Sequence, residues 1–376
     1  MNASANHTQA SRCSGCGATL QTTDKHKLGY IPEQALQREP VICQRCFRIR
    51  HYNEMSAVAQ DESDYLRILN KVGSHKGLIV HIVDLFDFEG TVIGSLPRFV
   101  GGNPIILVAN KIDLFPKSLN RNKLINWLQR QAKAAGLKPV ETVLCSALRN
   151  DGFDRLLPLL AQHRAGRDIY VVGATNVGKS SLINRLIRDF SNLEAELTIS
   201  RYPGTTLDMV HIPLDDGKAI IDTPGIVYRS RLTELVDGDD LAAITPTKPI
   251  KPVSFQLDPG QTIFFGAMAR LDFVRGAHQS FTFYTSGSFK LHRTKLERAD
   301  SLYEEHRGGL LAPPGSEAGL AALPVWTRHA LRLPPGGGKD VLISGLGWVK
   351  VNSLTGAELV VHAPKGVKVI VREAMI

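Results

Sequence analysis

The chain contains no run of apolar residues approaching the roughly 18 needed to cross a bilayer as a helix, so a helical membrane protein is excluded. Its first dozen residues are polar, with neither an apolar core nor a cleavage pattern, and a secretory leader is not expected. A cytoplasmic location follows as the expectation. Cysteine is scarce, at five in 376 residues, too few for a disulfide scaffold. Four of the five form two close pairs, and Cys145 stands alone in an apolar segment, as a small core residue would. No internal repeat is present. Acidic residues are in deficit, 36 against 45 basic ones, and the net charge is +9. That excess favours a polyanionic partner, nucleic acid above all, over a merely basic surface. The length allows two or three domains.

Against these absences, eight residues stand out: Gly173-Ala174-Thr175-Asn176-Val177-Gly178-Lys179-Ser180. An apolar run, Ile169 to Val172, precedes them, and an amphipathic one, Leu182 to Ile187, follows. This is the strand, glycine loop and helix of a G-x-x-x-x-G-K-[ST] phosphate loop. Its glycines turn backbone N–H groups inward around a phosphate, and the helix adds its positive end. Lys179 is placed to reach the outer phosphates, and Ser180 to offer a hydroxyl to Mg²⁺. The loop is nevertheless found near the middle of the chain, so something sizeable lies before it.

That leading part has two chemistries. Cys13-Ser14-Gly15-Cys16 and Cys43-Gln44-Arg45-Cys46 are two C-x-x-C knuckles, and together they make a Cys₄ site whose soft thiolates favour Zn²⁺. A single redox C-x-x-C explains one pair but not both, and His7 and His26 are not needed as ligands. Arg12, Lys25, Lys27, Arg45, Arg48, Arg50 and His51 give this region a basic face suited to phosphate backbones. From Asp61 onward, helical stretches alternate with apolar runs such as Leu78 to Asp84, Pro104 to Ala109 and Val140 to Leu144, which predicts a doubly wound α/β sheet.

The second of these strands ends in Asn110-Lys111-Ile112-Asp113. A carboxylate there accepts the N1–H and 2-amino hydrogens of guanine, whereas adenine leaves it unsatisfied. Asn110 holds the loop or the other base edge, the stem of Lys111 lies along the ring, and Ser146-Ala147 supports the base through backbone N–H. After the phosphate loop, Gly204-Thr205-Thr206 supplies a threonine for Mg²⁺, Thr206 being favoured over Thr205. Asp222-Thr223-Pro224-Gly225 offers Asp222 to a metal-bound water and the Gly225 amide to the terminal phosphate. Val177 and Ser181 complete the nucleotide-binding set.

With five elements in the order base-reading, base-supporting, phosphate, threonine and D-x-x-G, the chain resembles the circularly permuted GTPases. The Cys₄ finger makes it similar to the YqeH family of ribosome-assembly GTPases. The motifs that carry this resemblance span residues 13 to about 230. The resemblance implies a circularly permuted P-loop GTPase domain over residues 56–232, a zinc finger over residues 1–55, and a mostly β (α+β) domain over residues 233–376. It also implies GTP/GDP, Mg²⁺ and Zn²⁺ as cofactors, and the 30S subunit or its precursor, with its rRNA and proteins, as partner. The protein itself is expected to be a monomer. Permutation is tolerated because the ligand sits on loops at the carboxyl ends of parallel strands, whatever their order in the chain. The segment after Gly225 then runs directly into the last domain, which becomes the output.

Ile226 stands where many GTPases carry a water-orienting glutamine, which predicts slow intrinsic hydrolysis. Asn176 resembles the asparagine through which related GTPases hold K⁺ as a substitute for an arginine finger. The last third carries no catalytic constellation. Thr245 to Pro252 reads as an extended Pro/Lys linker. Phe281, Phe283, Tyr284 and Phe289 interleave with Lys290, His292, Arg293, Lys295 and Arg298, either as an RNA-stacking surface or as core aromatics behind a basic face. Two rivals to an assembly GTPase remain open: a zinc-containing RNA scaffold that senses GTP with little turnover, and a GTP-dependent partner in RNA modification.

Overall fold

The computed structural model describes residues 12–13, 18–25, 29–37, 41–44, 47, 59–60, 62–190, 209–214, 216–352 and 355–376. Cys16, Cys46, Thr205, Thr206 and most of the basic residues around the knuckles lie outside these. Among the described residues no helix is long and apolar enough to cross a membrane.

Contacts divide the chain into two compact units. The first comprises Met1–Leu85, Thr91–Lys111 and Leu128–Val227, and the second Phe86–Gly90, Ile112–Trp127 and Tyr228–Ile376. The division is therefore interleaved along the chain. Helix Arg121–Ala134 is shared, with Trp127 in the second unit and Leu128 in the first.

The first unit is built on a six-stranded sheet of β1 (Gly77–Asp84), β2 (Ile105–Asn110), β3 (Glu141–Leu144), β4 (Asp168–Gly173), β5 (Val210–Pro213) and β6 (Ala219–Asp222). Its spatial order is β3-β2-β1-β4-β6-β5, parallel except for β5. All eight residues of β1 are buried, as a continuous apolar run covered on both faces requires. His81, inside that run, and Asp84, at its end, are the polar exceptions. The His81 Nε2 accepts the Ile93 N–H at 3.1 Å, and burial holds the imidazole pKa down to about 4. Helix α1 (Glu62–Gly73) buries Tyr65, Ile68, Leu69 and Val72, the i, i+3, i+4, i+7 stripe of an amphipathic helix. Leu66, on the flank of this stripe, is half-buried. Cys145 is fully buried as expected of a core residue; burial first, and the charge of Asp151 second, push its thiol up to about 12.

The second unit holds two five-stranded antiparallel sheets. One contains β8 (Gln261–Phe265), β9 (Ala269–Gly276), β11 (Leu291–Lys295), β12 (Trp326–Leu333) and β15 (Ala357–Pro364), in the order β11-β8-β9-β15-β12. The other contains β7 (Val253–Leu257), β10 (Gln279–Thr285), β13 (Gly338–Ile343), β14 (Gly347–Asn352) and β16 (Val369–Glu373), in the order β16-β13-β14-β10-β7. Both contribute to one core, in which Phe265, Leu271, Phe273 and Val361 meet Phe281, Phe283, Val341 and Val349. Of the two readings of the aromatic–basic stretch, the structure selects the core one. Phe281 and Phe283 are fully buried, Tyr284 is buried, and Phe289 packs against the same cluster. The run from Leu342 to Val349 is a hairpin turning at Gly345. Gly345 has φ +80°, and a Cβ there would lie 2.8 Å from the Leu232 and Thr233 nitrogens.

The short segment Phe86–Gly90 is tied into this unit by buried polar groups. The Asp87 carboxylate is 1% exposed; it pairs with Arg231 Nε at 3.0 Å and accepts Ser344 Oγ–H at 2.9 Å. Arg372 pairs with Glu89 and, at 3.4 Å, with Asp340, and its guanidinium lies 4.9 Å from the Trp127 ring centroid. Segment Ile112–Trp127 is held by Ile250 N–H donating to Leu114 O at 2.9 Å and by Phe115 stacking on Trp348 at 5.9 Å.

Candidate functional site

Four of the five parallel strands of the first unit end at or beside a motif residue, and β1 ends at an aspartate on the same edge. Strand β1 ends at Asp84, β2 at Asn110, β3 just before Ser146, β4 at Gly173 and β6 at Asp222. In open α/β sheets this is the edge at which ligands bind.

Asn110 is the centre of the arrangement. It is 3% exposed; its Nδ2 donates to Val177 O at 2.8 Å and its Oδ1 accepts the Ala147 N–H at 3.0 Å. One amide side chain thus fastens the phosphate loop to the base-supporting loop. Gly178 lies against it with φ +89°, and a Cβ there would sit 2.2 Å from Asn110 Nδ2. The second glycine of the phosphate loop is therefore needed for the close approach as well as for its backbone angle. Ser146 closes its own loop: its N–H donates to Asp151 O at 2.9 Å and its Oγ accepts the Arg149 N–H at 3.0 Å.

Lys179 opens helix Lys179–Phe190 and is 5% exposed, with its ammonium 3.8 Å from Asp222 Oδ1. The segment Asp222–Ile226 is tied to β4 through the Thr223 side chain and to the phosphate loop through the backbone of Ile226. Thr223 Oγ1 donates to Val171 O at 2.8 Å, and Thr175 N–H donates to Ile226 O at 2.8 Å. Ile226 is 1% exposed and Gly225 is buried. Asn176 is exposed with φ +61°, a left-handed conformation that asparagine adopts more readily than most residues. Ser180 is half-buried and Ser181 exposed. Thr205 and Thr206 fall outside the described residues. The first unit thus brings together Asn110, Lys111, Ser146, Ala147, residues 173–180 and Asp222 to Gly225.

Asp113 sits two residues beyond Lys111, half-buried on the turn Ile112–Leu114, a segment of the second unit. Two participants escaped the sequence reading. Asp84 is 4% exposed and accepts Lys111 Nζ at 2.6 Å. Tyr65, fully buried, takes the Gly173 N–H on its hydroxyl at 3.3 Å. The signal for Asp84 was present, since an aspartate closes the apolar run of β1 at the same sheet edge as the known motifs. Lys111 itself holds φ +71°, a conformation that costs a non-glycine residue about 1–2 kcal/mol.

Near the amino terminus, Cys13 and Cys43 are both buried, and the Cys43 N–H donates to Cys13 Sγ at 3.1 Å. The structure thus brings one cysteine from each knuckle together. Cys16 and Cys46 lie outside the described residues, and no cluster of three or more metal-ligating side chains occurs among the described ones.

Fold and site define a circularly permuted P-loop GTPase, which takes GTP and GDP with Mg²⁺. Residues 168–250 match the family model described as 50S ribosome-binding GTPase, and residues 278–375 match the one described as YqeH-like, C-terminal. The chain is 47% identical to the uncharacterized protein YqeH of Bacillus subtilis, over 97% of this chain and 99% of that protein. It is 30% identical to NO-associated protein 1, chloroplastic/mitochondrial, of Arabidopsis thaliana, over 98% of this chain and 77% of that one. A shorter match, 35% identical over 37% of this chain and 29% of the relative, is to GTPase Der of Hahella chejuensis. The chain belongs to the YqeH family.

Proposed function

We propose that this GTPase couples hydrolysis of GTP to GDP and phosphate to assembly of the small ribosomal subunit and maturation of its rRNA in the cytoplasm. The observation that carries the nucleotide part is Asn110, whose single amide joins the phosphate loop to the base-supporting loop. In this reading Asp113 binds the guanine edge and the stem of Lys111 lies along the base, with Ala147 supporting it. Lys179 and the loop amides of residues 173–181 hold the phosphates. Ser180 and Thr206 ligate Mg²⁺, Asp222 holds a metal-bound water, and the Gly225 amide meets the γ-phosphate. Asn176 holds K⁺, and Cys13, Cys16, Cys43 and Cys46 hold a structural Zn²⁺. The Zn²⁺ supplies stability to a segment too small for a core of its own. A ribosomal partner is supported by the net charge of +9 and by the family model's description, which names the 50S particle; the choice of the small subunit rests on the family resemblance alone.

Cosedimentation tests the partner: protein locked with a non-hydrolysable GTP analogue is expected on free 30S particles and not on 70S ribosomes. Retention on 50S particles instead would transfer the reading to the large subunit, and binding that survives Lys179→Ala would remove nucleotide control. Equal hydrolysis rates in KCl and NaCl, with GTP binding intact, would take K⁺ out of the mechanism. A second reading, a GTP-sensing scaffold with little turnover, is favoured by the burial of Ile226, which offers nothing to orient an attacking water.

A further inference from the structure

Strand β1 delivers Asp84 directly beside the base-reading loop: in the parallel pairing of β1 with β2, Asp84 is the partner of Asn110. Its backbone N–H donates to Thr91 Oγ1 at 3.0 Å, and Thr91 is itself fully buried. Its carboxylate, 5% exposed, takes the Lys111 ammonium at 2.6 Å. The lysine side chain keeps 25% of its surface exposed, so its far end is fixed while part of its length stays open. Lys111 holds a left-handed backbone angle, and a long flexible side chain leaving such a position has many rotamers to choose from. One charged hydrogen bond at the tip removes most of that freedom.

We infer that Asp84 is a positioning residue for guanine recognition: it anchors the Lys111 ammonium so that the lysine stem is pre-set as one wall of the base site. This rests on the reading of Asn110 to Asp113 as the base-binding loop, and extends it to a residue outside that motif. The anchor acts on the base-reading loop, through the Lys111 ammonium. Its effect belongs to nucleotide affinity and to the base, and is the same for GTP and GDP.

The test uses the full-length protein and a fluorescent GDP. Asp84→Asn is expected to raise the Kd for GDP and the KM for GTP about tenfold, the low end for a hydrogen bond to a charged group, with kcat unchanged. Lys111→Met keeps the stem and removes the ammonium, so it is expected to match that loss. The double variant should be no weaker than either single one, because both remove the same contact. Asp84→Glu should recover part of the affinity. Inorganic tripolyphosphate, which has no base, should compete equally well in all of them. Wild-type GDP affinity in Asp84→Asn, or multiplicative losses in the double variant, would overturn the inference. A parallel loss of tripolyphosphate binding would also overturn it, marking general damage to the loops. The underlying reading fails separately: it is sunk when Asp113→Asn leaves the preference for guanine over xanthine nucleotides untouched.

Discussion

Five aspartates are buried among the described residues, and the two units treat theirs differently. In the first unit both face a lysine: Asp84 pairs with Lys111 and Asp222 with Lys179. In the second unit all three face an arginine: Asp87 pairs with Arg231, Asp272 with Arg270 and Asp340 with Arg372. A guanidinium is a rigid fork, always charged, which fixes geometry; an ammonium on a flexible stem is a point charge that can exchange one anion for another. Arginine marks the pairs that hold the fold of the second unit. Lysine stands where a nucleotide must be admitted. The 3.8 Å spacing of Lys179 and Asp222 suits that purpose, being too long for a tight hydrogen bond and short enough for a charge to be shared with phosphate.

The largest effect expected from this contrast is on Arg231. Its side chain is 3% exposed and that of Asp87 1%, so Arg231→Ala leaves a buried charge uncompensated and should destabilise the second unit by about 3–5 kcal/mol. Arg231→Lys restores charge but not the fork, and should recover only part of it. Urea unfolding followed by Trp fluorescence measures both. Full recovery by lysine would erase the proposed difference between the two kinds of pair.

Next in size is Lys179→Ala, expected to cut kcat/KM for GTP by about a hundredfold or more, the scale for one pre-organised donor at a phosphate. Its effect on the stability of the nucleotide-free protein should be much smaller than that of Arg231→Ala. A loss of stability as large as that of Arg231→Ala would mean that lysine, too, is there for the fold.

The units should also respond to pH with opposite signs. Burial holds His81 of the first unit near pKa 4, below its ordinary 6.5, so the unfolded chain binds the proton more readily. Its contribution is complete above pH 6.5 and is lost as pH falls towards 4, by up to about 3 kcal/mol. Asp340 of the second unit moves the other way. Burial, only partly opposed by Arg372, raises its carboxyl from 3.8 to about 6. The folded state therefore binds the proton more readily, and stability rises as pH falls from 6 towards 3.8, by about 1–3 kcal/mol. Hydrogen exchange read peptide by peptide between pH 6.5 and 4.5 separates the two slopes. His81→Gln should flatten the first and Asp340→Asn the second. Slopes of the same sign in both units would refute the assignment.

Much of the first unit was legible in sequence because its signals are local. Gly173 to Ser180, the run Leu78 to Asp84 and the strand-final Asn110 and Asp222 each declare themselves within a window of ten residues. The interleaving was not legible. Phe86–Gly90 belongs with the second unit through Asp87, whose partners Arg231 and Ser344 lie 144 and 257 residues away, and no periodicity reports such a separation. The same limit applied to Phe281 and Phe283. Alternation showed them to be on strands, but which face was covered depended on the opposing sheet, whose strands are drawn from residues 261–364 and bring Phe265, Leu271, Phe273 and Val361 to the same core. Asp84 was a different kind of miss, since a carboxylate ending an apolar strand was visible and only its partner was not.

The smallest predicted effect asks whether the residue type or its burial governs the comparison. Arg164 of the first unit also forks onto a carboxylate, Asp216, through two hydrogen bonds. Residue type alone would place it with the arginine pairs of the second unit. Its surroundings do not: the two side chains keep 22% and 39% of their surface, water screens the charges, and ordering two exposed side chains offsets the gain. Arg164→Ala should therefore lower stability by only about 0.5 kcal/mol, and added salt should erase even that. A cost near that of Arg231→Ala, persisting in high salt, would show that the guanidinium fork stabilises wherever it occurs. The arginines of the second unit would then say nothing particular about a permanently closed interior. A small, salt-sensitive cost keeps the distinction where the structure puts it, in the burial of the carboxylate and in whether its partner must ever let go.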